Sequence, residues 1–204
     1  ERGLRIVGPV WSGMRFMGGT QEDRPMDEEG RRLLDEMAAL NLILDISHMR
    51  EHSALTTLDR YEGPIIAGHA NCRAVNGGQG GERHLTDATI RRLIERDGVM
   101  GILPYNKFLI SEWKPSLPRE SVTLEAVVRH MDHVCQLSGD SKHVAIGSDF
   151  DGGFGFPDIP LEMDTIADLQ KLAPLLAQLG YTEEDIRNIF HQNWLHLLER
   201  SLPL

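Results

Sequence analysis

Imidazole and carboxylate side chains follow three short apolar runs of the sequence. His48 comes just after the second run, His69 after the third, and Asp149 and Asp151 after the fifth. Neutral imidazole is a common ligand of zinc, and a carboxylate can bind a metal, orient water or transfer a proton. If the fold brings these positions together, the site would bind a metal ion or carry out acid–base chemistry.

A structural role is the alternative for each of these residues. A single histidine after a strand is commonly a hydrogen-bonded structural residue, so two histidines and an acid leave both interpretations open. Asp151 is the weaker acid because its Asp-Phe-Asp-Gly setting can also form an Asx turn. The same stretch does not fit a calcium-binding EF-hand loop, since Pro160 occupies the twelfth position from Asp149, where glutamate is required.

Five apolar runs without alternation predict strands that are buried on both faces of a parallel sheet. They are Leu4–Val10, Leu42–Ile46, Pro64–Ala67, Val99–Leu103 and Val144–Ile146. Apolar residues at helical spacing lie between and after these runs. The predicted helices are Asp27–Leu40, Thr86–Arg96, Thr123–Leu137, Asp164–Leu179 with a kink or division at Pro174, one that begins at Thr182, and Trp194–Arg200.

The alternation of strands and helices predicts a parallel α/β fold with right-handed crossovers. A doubly wound sheet and a (β/α)8 barrel are the two candidates. No G-x-G-x-x-G motif follows a strand, so the dinucleotide-binding fingerprint is missing. In a barrel, residues at the carboxyl ends of different strands converge on one face, which would bring the histidines and the aspartate together.

Composition excludes several classes of partner. The chain has 204 residues, a length typical of one domain, and a net charge of −10 from 31 acidic and 21 basic residues. This charge argues against a nucleic-acid partner and an anionic membrane surface. No stretch approaches the roughly 20 apolar residues of a spanning helix, and no signal peptide opens the chain. We expect a soluble protein, with the cytoplasm favoured over secretion and the compartment otherwise open.

Cys72 and Cys135 are predicted to be buried thiols.

A glycine-rich loop precedes another candidate residue. The stretch 77–81 lacks the Lys-Ser/Thr ending of a phosphate-binding loop and predicts a mobile lid. Arg83 follows the stretch. An arginine at the end of a loop over the active face could bind a carboxylate through two hydrogen bonds, and a solvated surface arginine is the alternative. His130 and His133, which are three residues apart with no third ligand nearby, are interpreted as structural.

Several of these stretches together resemble the renal (membrane) dipeptidase family of zinc metallopeptidases. The 21-residue step from His48 to His69 agrees with that family, and Asn193-Trp194-Leu195 is similar to its closing helix. The matching stretches are Leu44-Asp45-Ile46-Ser47-His48, Pro64-Ile65-Ile66-Ala67-Gly68-His69, Arg83-His84-Leu85-Thr86-Asp87 and Gly147-Ser148-Asp149-Phe150-Asp151-Gly152.

The resemblance implies a (β/α)8 TIM barrel of the metallo-dependent hydrolase type, with two zinc ions, that hydrolyses dipeptides. It implies that His48 and His69 bind one of the two metals. It also implies that Asp149 handles the proton of the attacking water. Arg83 would bind the terminal carboxylate of the substrate, and Tyr105 matches a substrate-contacting tyrosine. Homo-oligomers are a further possibility.

The chain departs from the family pattern in two respects. The other metal ligands of the family, a His-x-Asp pair and a bridging glutamate, belong to earlier strands that the chain starts too late to contain. Only five of eight strand–helix units are predicted. We therefore expect residues 1–204 to be the C-terminal portion of one barrel domain, open on the side of Leu4–Val10 and inactive alone.

The second departure is Trp11, which stands where the family places a histidine that stabilises the reacting carbonyl. This substitution leaves two alternatives to a dipeptidase. One is a related metallohydrolase that acts on another amide, an ester or a lactone. The other is a barrel fragment without catalytic activity.

Overall fold

A parallel five-stranded sheet forms the centre of the protein. The computed structural model describes residues 3–13, 15–79 and 81–202. The strands lie side by side in chain order, and each pairs in parallel with the next. They are β1 (Ile6–Val7), β2 (Ile43–Asp45), β3 (Ile65–Ala70), β4 (Val99–Ile102) and β5 (Val144–Ile146). This order is that of a partial (β/α) barrel and not of a doubly wound sheet, in which the strand order reverses.

The strands alternate with helices whose starts are set by local capping. Asp27 accepts a hydrogen bond from the backbone N–H of Gly30, and Thr86 accepts one from Thr89. Such caps satisfy backbone donors that the first turn of a helix leaves free. The α-helices are α1 (Glu28–Ala39), α2 (Glu51–Arg60), α3 (Asp87–Glu95), α4 (Asn106–Leu109), α5 (Leu124–Ser138), α6 (Leu172–Gln178), α7 (Glu183–Arg187) and α8 (Asn193–Ser201).

The two faces of the sheet pack against different elements. Strand residues such as Leu44 and Met100 belong to the main core, which also contains buried residues of α1, α2, α3 and α5. Their neighbours along the strands point to the other face, since side chains alternate along a strand. On that inner face Ile43, Val99 and Ala145 pack with Leu197 of α8. Helix α8 therefore covers the inside of the curved sheet.

Glycines line the inner face above α8. Gly68, Gly101 and Gly147 lie on β3, β4 and the end of β5, where a Cβ atom added to Gly101 or to Gly147 would collide with the carbonyl oxygen of Gly68. The three backbones therefore approach as closely as only glycine permits. Backbone atoms therefore form the surface beneath the carboxyl ends of the strands.

The structure departs from the sequence prediction at the first strand and at the segment after Asp164. The first run, predicted over Leu4–Val10, forms a strand only at Ile6–Val7, because Pro9 has no N–H to donate. The segment predicted as one helix over Asp164–Leu179 is a 3₁₀ helix at Ile166–Lys171 followed by α6. The division precedes Pro174, because proline fits the first turn of α6, where its missing N–H costs nothing.

Both edges of the sheet are unpaired in the part of the chain that the structure describes. Strand β1 pairs only with β2, and β5 pairs only with β4. Ile6 on the edge strand is 41% exposed and Leu4 just before it is 59% exposed. The open barrel expected from the sequence is therefore present, with β1 at one edge. Within the same residues, every helix is too short or too polar to cross a membrane.

Candidate active site

A cavity of about 680 Å³ opens at the carboxyl ends of the strands. Its lining includes all five residues for which the sequence and the resemblance predicted a role, namely His48, His69, Arg83, Tyr105 and Asp149. They come from four different strand ends or the loops that follow them. Asp151 is exposed and lies outside this lining.

The two histidines converge on one point. The Nε2 atoms of His48 and His69 lie 3.0 Å apart, and the ring centroids are 5.0 Å apart in an edge-on arrangement. Oδ2 of Asp149 lies 3.9 Å from Nε2 of His69. His48 occupies the turn after β2, whereas His69 lies within β3, which continues three residues beyond the predicted end to Ala70 and so includes His69. Two imidazoles and one carboxylate thus share a single position in the cavity.

Two of these residues have backbone conformations that residues other than glycine rarely adopt. His48 has φ of 68° and Asp149 has φ of 48°, both in the left-handed region. Such conformations cost of order 1–3 kcal/mol each and persist where the surrounding structure fixes them. Their occurrence at two residues of one cavity points to a functional constraint.

Asp45 is a residue of the site that sequence reasoning did not single out. Its Oδ1 accepts hydrogen bonds from the backbone N–H groups of Ser47 at 2.8 Å and of Gly68 at 2.9 Å. The Oγ of Ser47 accepts a hydrogen bond from the backbone N–H of His69 at 3.1 Å. These bonds tie the turn that carries His48 to the strand that carries His69. The signal was present in the sequence, since Asp45 is an acidic residue near the end of the otherwise apolar second run.

Burial, more than the nearby charges, keeps the imidazoles of His48 and His69 neutral. Burial, with smaller contributions from Arg83 and His69, lowers the pKa of His48 from 6.5 to about 3. Burial and Arg83 also lower the pKa of His69, while Asp149 and Asp45 oppose that shift. Neutral imidazole is the form that binds metal ions.

Arg83 is buried beside this pair. It is 6% exposed, and its Nη2 donates a hydrogen bond to the carbonyl oxygen of His69 at 2.8 Å. Its Nε is buried and makes no hydrogen bond within the described residues. Burial lowers the pKa of Arg83 to about 10, against the opposing effect of Asp149 and Asp45, so the guanidinium stays charged at neutral pH. A buried cation with an unused donor at a cavity is suited to an anionic ligand group.

Aromatic side chains line much of the remaining cavity surface. Tyr105 stacks on Phe154 and contacts Phe108, over which the guanidinium of Arg83 lies. Trp11 lines the cavity next to His48, with ring centroids 5.7 Å apart. Phe108, Phe154 and the cavity's exposed lysine, Lys107, were not anticipated from the sequence, because they lie in irregular or short segments without periodicity.

His130 and His133 make their contacts away from this cavity. His130 is fully buried, and its Nδ1 accepts a hydrogen bond from the backbone N–H of Cys72 at 3.1 Å. His133 pairs with Asp87 at 2.8 Å. Cys72 and Cys135 are free, buried thiols, as predicted. None of these four lines the cavity at the strand ends.

Comparison with known proteins identifies the family. The family model described as "Membrane dipeptidase (Peptidase family M19)" matches residues 10–201. The chain belongs to the membrane dipeptidase family. This membership confirms the resemblance to the renal (membrane) dipeptidase family.

Individual relatives are similar over nearly the whole chain. A metallopeptidase from Rhodobacter sphaeroides, solved with a phosphinate mimic of the dipeptide L-Ala-D-Ala, is 33% identical with a TM-score of 0.83. The M19 metallopeptidase called dipeptidase AC is 35% identical, also with a TM-score of 0.83. The chain is covered to 98% in both, but it spans only 56% and 57% of those structures. An uncharacterized protein in the pqqA 5' region of Klebsiella pneumoniae is 31% identical over 97% of the chain and 72% of its own length.

The residues present fit the metal that M19 metallopeptidases imply. Two nitrogens bound to one tetrahedral metal at about 2.0–2.1 Å lie roughly 3.3 Å apart, close to the 3.0 Å between the two Nε2 atoms. The donors are neutral and the Asp149 carboxylate is adjacent. Among residues 3–13, 15–79 and 81–202, however, no three His, Cys, Asp or Glu side chains are grouped so as to hold a metal. The pair therefore supplies part of a ligand set.

Proposed function

We propose that the protein is a metal-dependent dipeptidase and that this chain supplies one side of its active site. The observation that carries the proposal is the convergence of His48 Nε2 and His69 Nε2 at 3.0 Å, beside Asp149 and Arg83, in one cavity. The family and the dipeptide mimic bound to the Rhodobacter relative support a dipeptide substrate.

Each chemical task of peptide hydrolysis has a candidate residue. When bound, the metal lowers the pKa of a water molecule and polarises the scissile carbonyl. His48 and His69 would hold it through their Nε2 atoms. Asp149 accepts a proton from the water that attacks the carbonyl carbon. Asp149 then donates that proton to the amine nitrogen as the C–N bond breaks, which yields two amino acids. Arg83 binds the terminal carboxylate, and Tyr105 contacts the substrate.

We propose zinc as the metal, with two ions in the complete site. Imidazole and carboxylate donors suit zinc, and two neutral imidazoles alone would bind it weakly. The remaining ligands would come from further strand–helix units, since the sheet has five strands and a closed barrel of this type has eight. In this proposal residues 1–204 form the C-terminal portion of a single barrel domain. The two free, buried thiols are compatible with a reducing compartment such as the cytoplasm.

A second candidate function is supported by Trp11. Its ring lies 5.7 Å from that of His48, where the resemblance places a histidine that stabilises the reacting carbonyl. An indole at this position changes the polar contacts available to the carbonyl oxygen. Hydrolysis of another amide, an ester or a lactone at the same metal site would be consistent with that change.

The experiment that tests the proposal combines activity with metal content. The full-length protein is incubated with zinc, dialysed, and assayed on dipeptides, simple esters and lactones, with bound metal measured by mass spectrometry. We expect dipeptide hydrolysis, and we expect His48→Ala and His69→Ala each to lose both bound metal and turnover. The exposed His196→Ala serves as the matched control and should retain both.

Two results would contradict the proposal in different ways. Undiminished metal content and turnover in both cavity variants would refute the metal assignment. Hydrolysis of esters or lactones with no turnover of any dipeptide would favour the second candidate. The isolated 204-residue chain, with its open sheet edges, should show no robust turnover when zinc is added.

A further inference from the structure

Three aromatic side chains form a wall on one side of the cavity. The rings of Tyr105 and Phe154 are stacked, with centroids 4.5 Å apart and planes inclined by 20°. Tyr105 and Phe108 make a T-shaped contact at 4.9 Å. All three side chains are half-buried and line the cavity, so ring surface remains available to a ligand. We call these three residues the aromatic wall.

The aromatic wall begins at Arg83. The guanidinium carbon of Arg83 lies 5.3 Å from the centroid of the Phe108 ring. In an α-amino acid, the carboxylate and the side chain are attached to the same carbon atom. A substrate whose terminal carboxylate is bound by Arg83 must therefore place its C-terminal side chain next to the aromatic wall.

The surroundings of His48 are more polar and more exposed. Thr20 donates a hydrogen bond from its Oγ1 to the carbonyl oxygen of His48 at 3.1 Å, and Gln21 lines the same cavity. Trp11, the one large apolar residue in contact with the His48 ring among the described aromatic pairs, is 66% exposed. An N-terminal side chain on this side of the cavity would bury less apolar surface than a C-terminal one at the wall.

We propose, on the basis of the proposed dipeptidase function, that the site selects dipeptides whose C-terminal residue is aromatic or otherwise large and apolar. Stacked and edge-on ring contacts favour an aromatic side chain beyond the gain from burial alone. Phe154 is the residue that determines this preference, because its ring covers Tyr105 from the loop that follows Asp149. Lys107, which is exposed at the cavity, is the feature that would instead favour an acidic side chain.

The test compares four substrates on the full-length, metal-loaded enzyme. The values of kcat/KM are measured for Ala-Phe, Phe-Ala, Ala-Ala and Ala-Glu. We expect Ala-Phe to exceed the other three by about tenfold or more, the scale on which an apolar pocket discriminates. Phe154→Ala should bring the ratio of Ala-Phe to Ala-Ala close to one, and Phe154→Leu should retain part of it.

Phe156→Ala is the matched control for this test. Phe156 belongs to the same loop but is 67% exposed, lies under the guanidinium of Arg119 and does not line the cavity. Its replacement should leave the substrate ratio unchanged. An active enzyme that prefers Phe-Ala, Ala-Ala or Ala-Glu, or whose ratio survives in Phe154→Ala, would overturn the specificity while leaving dipeptidase function in place. Failure to hydrolyse any of the four would overturn both.

Discussion

The carboxylate of Asp45, at the end of β2, accepts a hydrogen bond from the backbone N–H of Gly68, on β3, at 2.9 Å. The same oxygen accepts from Ser47, which precedes His48. A single carboxylate oxygen therefore fixes the spacing between the turn that holds His48 and the strand that holds His69. Such outer-shell contacts typically change metal affinity by 10- to 100-fold when they are removed.

Asp45→Ala should weaken zinc binding by about 10- to 100-fold, because the two histidines lose their common anchor. Asp45→Asn keeps an acceptor oxygen and should lose less. Zinc affinity is measured in the full-length protein by competition with a chelator, together with the melting temperature. The exposed Asp35→Ala, which removes a surface pair with Arg60, is the control. A lower melting temperature with unchanged zinc affinity would reduce Asp45 to a purely structural residue.

Asp149→Asn should lower kcat by about 100-fold or more, the scale of general acid–base contributions, while zinc content stays the same. The amide cannot accept a proton from the attacking water. Steady-state kinetics and metal analysis of the full-length protein check this prediction. Asp151→Asn, a change to the exposed aspartate two residues on, should leave kcat within a small factor of the original. Equal losses in the two variants would argue against a specific role for Asp149.

Arg83→Ala should weaken catalysis on dipeptides by about 1.5–3 kcal/mol, the scale of a hydrogen bond to a charged group. Its effect on the corresponding dipeptide amides, which lack the carboxylate, should be smaller. Some loss is expected for both substrates, since Arg83 also donates to the carbonyl oxygen of His69. The measurement is kcat/KM for each dipeptide and its amide. The carboxylate contact is refuted by equal losses on the two.

His130 should make the protein less stable as the pH falls below about 6.5. Burial lowers its pKa from 6.5 to about 3 in the folded state, and nearby His84, Arg129 and His133 add to the shift. Between these two pH values His130 binds a proton in the unfolded chain but not in the folded chain. The free energy of unfolding therefore falls by up to about 1.4 kcal/mol for each pH unit of acidification. Above about pH 6.5 the His130 side chain is neutral in both the folded and the unfolded state, so its titration no longer lowers the stability.

Urea unfolding at about pH 7.5 and about pH 5.5 tests the role of His130. His130→Gln lacks the titrating group, so its free energy of unfolding should fall less between the two pH values than that of the original protein. The exposed His196→Gln provides the comparison and should behave like the original protein. The same pH dependence in all three proteins would show that other groups account for it.

The sequence was sufficient for much of the fold and for finding five candidate residues that line one cavity. Buried parallel strands leave uninterrupted apolar runs, and their ends identify His48, His69 and Asp149 directly. Helix α2 was not predicted, because two of its buried residues, Ser53 and Thr57, are polar and hide the apolar stripe.

Contacts that depend on register were beyond the reach of sequence pattern. The bond from Gly68 to Asp45 requires β2 and β3 to pair with Asp45 opposite Ile66. The stacking of Phe154 on Tyr105 joins two loops that have no periodicity. In both cases the three-dimensional arrangement of the strands brings the two residues together, and no local sequence pattern predicts that arrangement.

His48 and Asp149 have a left-handed backbone conformation, which costs the fold stability, and they carry the side chains that the proposed function needs. Glycine adopts this conformation without strain, so His48→Gly and Asp149→Gly would be tolerated, or even favoured, by the fold. Both changes would remove the side chains on which the proposed chemistry depends. A selection for thermal stability or soluble expression would thus enrich inactive proteins at these two positions. A relative that keeps histidine and aspartate there retains them against the preference of its own backbone.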